Sequence, residues 1–332
     1  MNKIQLVVAA LALGFAADMQ AQSDAPIIDM HLHALPADAQ GPPPLGMCAP
    51  FEVFPTFDPG TESYGDVFMA RYKQPPCEDP VWSPETDEAV MAQTIEMLER
   101  YDMIAVTSGP LVDAYEAAAP ERILPALVFD VGADPISPDS MRTVLSSGKY
   151  VALAEVISQY SGIAPDDPRF EPYLAVAEEL DVPVGIHVGT GPPGAPLLGF
   201  PAYRARLHSP MALEEVLSKH PGLRVWVMHA GWPMLDEMLA ILYAWPQVQV
   251  DVGVLAFALP RAEFHRYLRH LVEAGFGNRV MFGSDQMVWP GTIPTSIDAI
   301  ESADFLTEEQ KRAILHDNAA RFLRLDEDGT PP

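Results

Sequence analysis

The chain has 332 residues, 48% of them hydrophobic and 20% charged, so it can bury a sizeable core and is neither disordered nor fibrous. Roughly 150 residues per domain would allow two domains, but one (β/α)8 barrel of about 250 residues with insertions also fits. Acidic residues outnumber basic ones 46 to 20, for a formal charge of -26, and no block of Lys or Arg interrupts the excess. Duplex DNA and RNA are poor partners for such a chain, because binding them rests on neutralising phosphates with cations.

Residues 1–21 (MNKIQLVVAALALGFAADMQA) begin with a short stretch carrying Lys3, continue as a mostly apolar run and end in small residues. This is the pattern of a secretory signal peptide, and the run is shorter than the roughly 20 residues that span a bilayer. Cleavage is expected after Ala21, or nearer Ala16 or Ala17, leaving a mature domain over 22–332 that is periplasmic or secreted. No second apolar stretch of membrane length follows, so no stable membrane insertion is expected once the signal is removed. Cys48 and Cys77 then sit in an oxidising compartment, where two thiols more often form a bridge than a metal site.

Short runs rich in Val and Ile alternate with stretches of helical period, the sign of βαβ units and a parallel sheet. Eight such runs occur, at 26–34, 103–109, 123–130, 150–158, 182–190, 223–231, 248–255 and 278–285. Helical patterns lie between them, among them 87–101, 171–180, 211–220, 234–245 and 262–274, and a last one over 307–325 opens with Thr307 and Gln310 in capping-box spacing. Eight strands with following helices close most naturally as a TIM barrel. The alternative, an open doubly wound sheet, would want a Gly-rich phosphate turn after its first strand, and none follows 26–34. Instead residues 35–85 are crowded with Pro, Gly and Cys; a segment this long is more than a connection and is expected to cover the barrel mouth, stapled by a Cys48–Cys77 bridge.

In such barrels the active-site residues come from the C-terminal ends of different strands. The first run ends Asp29-Met30-His31-Leu32-His33, and a period of two puts both imidazoles on one face, within reach of one cation. By the same parity Asp29 is expected on that face, bonding a backbone group or orienting a ligand. Glu155 lies in the apolar run VALAEVI, where an unpaired carboxylate is costly. The fifth run carries His187, the sixth His229, and the eighth ends at Asp285. Six ligand-type side chains thus fall at equivalent heights on five strands. His187 or His229 taken alone reads equally well as a satisfied core residue. His220, His265, His270 and His316 read as solvated helix residues, and His208 is open.

DMHLH, GIHVG, VMHAGWP, FGSD and DNAARFLRL, in this order over nearly the whole mature chain, resemble the amidohydrolase superfamily, most closely its amidohydrolase 2 branch of TIM-barrel metal-dependent hydrolases. The resemblance implies a site for one or two divalent ions with an activated water. By it His31, His33 and Asp285 would hold one metal, and His187 and His229 a second or, with a single ion, share ligation and substrate polarisation. Glu155 occupies the place where many binuclear members carry a bridging carbamylated lysine, and would bridge or support from behind. Asp285 would act as general base and His229 or the second metal would polarise the scissile carbonyl. A mixed His and carboxylate set suits zinc, and manganese or iron are admissible. The reaction implied is hydrolysis of an amide, lactone or ester bond in a small molecule; the alternative is non-oxidative decarboxylation of an aromatic or unsaturated carboxylic acid. Arg204 and Arg206, in the loop after the fifth run, could hold a substrate carboxylate or simply face solvent, and Tyr160 and Trp232 could wall the pocket or pack.

Overall fold

The computed structural model describes residues 25–133, 135–189 and 191–326, so the expected signal segment 1–21 lies outside the described residues. Its strands, in chain order, are β1 (Ile27–His33), β2 (Gly46–Met47), β3 (Val81–Trp82), β4 (Met103–Ser108), β5 (Ile123–Phe129), β6 (Ala152–Val156), β7 (Val184–His187), β8 (Val225–Met228), β9 (Gln249–Asp251) and β10 (Val280–Met281). Eight of them form one sheet in the order β1-β4-β5-β6-β7-β8-β9-β10, all neighbours parallel. The ends of that sheet meet. Met30 donates to Phe282 O (3.0 Å), His33 to Gln286 O (3.1 Å) and Asp285 to His31 O (2.6 Å), which brings the first and last strands into a nearly closed barrel. Each of the eight apolar runs read from the sequence contains one of these strands, and the fold is a TIM barrel.

Two apolar layers hold it. Strand residues such as Leu153, Val184, Ile186, Val225 and Val227 pack outward with helix residues such as Leu98, Leu174 and Leu217. Ile28, Met30, Val106, Ala154, Trp226 and Met228 form a second cluster, which Phe322 and Leu323 of the helix Asn318–Leu323 join; the Trp226 and Phe322 rings meet edge to face at 5.7 Å. Gly185 makes room for the indole, since a Cβ there would lie 2.4 Å from Trp226. The Thr307/Gln310 capping box forms as expected. Among the described residues no helix is long and apolar enough to cross a membrane.

The segment 35–85 has its own structure: the short antiparallel pair β2 and β3, the helix Tyr64–Lys73, and the Cys48–Cys77 disulfide, with Cα atoms 5.8 Å apart. It is tied to three loops that follow barrel strands. Tyr64 Oη donates to Pro193 O after β7 (2.6 Å), Phe51 N to Ala258 O after β9 (3.0 Å), and Trp289 Nε1, after β10, to Leu45 O (2.8 Å). The bridge closes 29 residues of chain, worth about 3.5 kcal/mol in the loop-entropy picture. Replacing both cysteines by serine should therefore lower Tm by several degrees; an unchanged melting curve would mean that the contacts to the three loops hold the segment without it.

Candidate metal centre

Two breaks in strand regularity build the site. In β1 the register against β4 slips between Asp29 and Leu32, so Met30 and His31 stand against the single Val106 and His33 against Ser108. The same device recurs in β6, where Ala154 and Glu155 stand together against Gly185, between the pairs Leu153–Val184 and Val156–Ile186. Leu153 and Val156 both join the outer layer and Ala152 and Ala154 the inner one, so strict alternation would have sent Glu155 outward with Leu153. A bulge re-aims the side chains beyond it, and these two turn His31, His33 and Glu155 inward. Asp29, before the slip, therefore does not share the histidines' face as parity predicts. It pairs with Ala105, and its Oδ1 accepts from His31 N and Ser284 N, both at 2.9 Å.

His187 ends β7 on the inward parity of Gly185. His229 and Asp285 follow β8 and β10 with left-handed backbone, at φ of 60° and 51°. Such conformations cost non-glycine residues of order 1–3 kcal/mol and persist only where the surroundings enforce them. Here Asp285 N donates to His31 O, and His229 N donates to Asp251 Oδ1 at 3.1 Å.

The six sequence-nominated side chains come together. Glu155, 8% exposed, sits between two pairs of histidines: Oε2 is 3.9 Å from His31 Nε2 and 3.6 Å from His33 Nε2, and Oε1 is 3.8 Å from His187 Nε2 and 3.9 Å from His229 Nε2. Asp285 Oδ1 lies 3.0 Å from His33 Nε2 and 3.7 Å from His31 Nε2, with Oδ2 3.8 Å from His229 Nδ1. Two sets of potential ligand atoms, His31/His33/Asp285 and Glu155/His187/His229, each fall within 4.8 Å of one another.

The charges are strongly coupled. Burial pushes the Glu155 carboxyl up, but the imidazoles of His229, His31 and His187 around it outweigh that and hold it well below the carboxylate range. Burial works against protonation of His31, and Asp285, Asp251 and Glu155 together raise it well above the usual imidazole value. His187 is driven well below that value by burial and by the neighbouring His229. Burial lifts Asp29 to about 6. Both ring nitrogens of His31 are buried with no hydrogen-bond partner, and His187 Nε2 faces Glu155 Oε1. Orphaned imidazole nitrogens beside buried carboxylates are the donor chemistry of a divalent cation, and these residues fit one.

Asp251, at the end of β9, was not nominated by the sequence reading. It is 0% exposed; Oδ1 accepts from Gly253 N (2.8 Å) as well as His229 N, and Oδ2 accepts from Trp226 Nε1 (3.1 Å) and lies 3.4 Å from His31 Nδ1. With both oxygens occupied it supports His31 from behind rather than serving as a ligand, although its position beside His31 and His229 would also allow coordination. Like Glu155 it is a carboxylate in an apolar run, VQVDVGVL, where an unpaired charge is costly. Gly253 lets the chain pass close to His31, where a Cβ would lie 2.8 Å from Nδ1.

Other expectations need correcting. His220 is buried, with Nδ1 2.9 Å from Glu178 Oε2; His265 and His316 are half-buried on the carbonyls of Ala299 and Pro26, and only His270 is exposed. Their helices pack on the barrel, and the ring's apolar body follows the buried stripe while its nitrogens find acceptors. Arg204 and Arg206 are exposed, and Arg204 donates to the carbonyls of Pro201 and Tyr203. Trp232 Nε1 donates to Glu263 Oε1 on the helix Arg261–Leu271, whereas Tyr160 Oη lies 3.4 Å from His187 Nε2. His208 is wholly buried between Tyr203 and His187, and burial pushes it down to about 4.

The family model described as Amidohydrolase matches residues 28–325. The chain belongs to the amidohydrolase family. That family uses a divalent metal, in keeping with the two ligand sets above. Among curated proteins none matches the chain. Similar solved structures include an uncharacterised TIM-barrel protein from Bordetella bronchiseptica (18% identity, 90% of this chain and 98% of that one, TM-score 0.60). A second is a probable 2-pyrone-4,6-dicarboxylic acid hydrolase from Acinetobacter baumannii with citric acid bound (14%, 90% and 99%, TM-score 0.56). A third is 5-carboxyvanillate decarboxylase from Novosphingobium aromaticivorans complexed with manganese and 4-hydroxy-3-methoxy-5-nitrobenzoic acid (14%, 92% and 97%, TM-score 0.53). At these identities the likeness is one of fold.

If Asp251 supports His31, Asp251→Asn should weaken metal affinity by about 10- to 100-fold, as loss of a carboxylate behind a histidine ligand does. Calorimetric titration of chelator-stripped protein with Zn2+ measures it, and wild-type affinity in a folded variant would remove Asp251 from the centre.

Proposed function

We propose that this amidohydrolase is an exported metal-dependent hydrolase that cleaves an amide, lactone or ester bond of a small molecule, with two divalent ions bridged by Glu155. The observation that carries the reading is the split of Glu155 between two histidine pairs, one oxygen toward each. A buried carboxylate so placed is poorly explained by imidazolium partners alone, because four adjacent imidazoles repel one another when protonated. The donor set suits zinc, with manganese and iron admitted by the same groups. Bound there, a divalent ion would bring the pKa of a coordinated water toward about 7 and polarise a carbonyl oxygen.

Asp285 is placed to move the proton. One oxygen engages the His31/His33 side while the other turns toward His229, so the carboxylate can accept a proton from water and return it to the leaving group. His229 Nδ1 lies 3.0 Å from Gly253 O; an N–H donated there leaves Nε2 as a lone pair facing Glu155, which suits a ligand better than a donor to a substrate carbonyl. Export is supported by the signal pattern of 1–21 and by the Cys48–Cys77 disulfide. The ties of 35–85 to loops after β7, β9 and β10 support its role as a cover over the mouth.

The likeness to a decarboxylase fold keeps a second reading in view, non-oxidative decarboxylation with protonated Asp285 delivering its proton to the carbon that loses carbon dioxide. A screen of neutral amides, lactones and esters beside aromatic acids separates the two: release of carbon dioxide without hydrolysis contradicts the hydrolytic reading. On the substrate found, Asp285→Asn should cut kcat at least about a hundredfold at full metal occupancy. Near-normal turnover per bound metal would pass the proton to another group.

A further inference from the structure

His187 and His208 share an unmet need. His187 Nδ1 and both ring nitrogens of His208 are buried without a partner, and a buried polar atom left unmatched is destabilising. The two rings face each other edge to face with centroids 5.3 Å apart, close enough for nitrogens turned toward each other to meet at hydrogen-bond length. His208 is held in place from several sides. Its carbonyl accepts from Gly189 N (3.0 Å), just beyond β7, and its ring lies against Tyr203 at 4.5 Å. Its nitrogens are sealed from solvent, so it cannot reach a substrate in the mouth; besides Tyr203 the rings against it are His187 at 5.3 Å and Tyr160 at 5.7 Å, and the Tyr160 hydroxyl is turned to His187 Nε2.

The face of His187 is divided. Nε2 looks toward Glu155 and the Tyr160 hydroxyl, and Nδ1 looks into the protein. A ligand bound at Nε2 fixes the proton on Nδ1, and a ring N–H so fixed is almost always donated to a neighbour, which sets the ring's orientation and raises its basicity. We propose that His208 is a positioning residue that accepts the Nδ1–H of His187 when His187 binds metal through Nε2. This rests on the reading of His187 as a ligand.

Zn2+ titration of the full, disulfide-bonded protein after chelator treatment tests it, with His187→Phe as control. His208→Phe keeps the packing against Tyr203 and removes the acceptor, and should weaken Zn2+ binding about 10- to 100-fold. His208→Asn and His208→Gln put an amide oxygen near the places of Nδ1 and Nε2, and one of them should restore most of the affinity. In the zinc-loaded protein the His187 Nδ1–H should be visible by NMR and slow to exchange, and lost from view in His208→Phe. Unchanged affinity in His208→Phe, or equal loss in all three His208 variants, overturns the proposal. Unchanged affinity in His187→Phe overturns the ligand reading beneath it, and is distinguishable because His187 itself is then dispensable.

Discussion

A carboxylate enclosed near the axis of a barrel must be matched by positive charge, and the upper half of this structure is arranged around that demand. Glu155 enters on β6 and is met by four imidazoles from β1, β7 and the end of β8. Asp285 and Asp251 add two further buried carboxylates to the same space. Among the described residues no Lys or Arg is buried, and the side chains paired with Glu155, Asp285 and Asp251 are all histidines, so no guanidinium or ammonium serves as counter-ion there. Divalent cations are the remaining match for such a concentration of acid and imidazole.

Meeting that demand distorts the strands that meet it. Regular alternation fills the lower barrel with Ile28, Met30 and Ala154, and one extra residue in β1 and in β6 then reverses the parity, so that imidazoles and a carboxylate take the inward places. At the ends of β8 and β10 the left-handed backbone of His229 and Asp285 does the same work over a shorter distance. Asp251 ties these pieces together, since one carboxylate accepts from the His229 backbone, the Gly253 backbone and the Trp226 indole in the layer below. Rigidity in the apolar layer is thereby passed to the histidines and carboxylates above it, as a site for a metal ion would require.

The barrel was legible because eight Val- and Ile-rich runs and their spacing survive any local irregularity, and the site was legible because ligand-type residues cluster at the run ends. What a period of two could not show is the bulge. Applied strictly from Ile28 inward it sends His31 and His33 to the helices; applied backward from the histidines it puts Asp29 on the wrong face. Asp251 is as readable as Glu155, since each is a carboxylate standing in an apolar run. His208 and His220 were not readable, because each is buried by a loop or helix whose packing no local pattern records.

The account depends most on Glu155 bridging two ions. Crystals of the zinc-loaded protein, with anomalous diffraction on both sides of the zinc edge, locate the ions without reference to any substrate. The expected result is two peaks, one among His31, His33 and Asp285 and one between His187 and His229, each with one Glu155 oxygen as ligand. A single peak with Glu155 uncoordinated, or no peak among these residues, would contradict it.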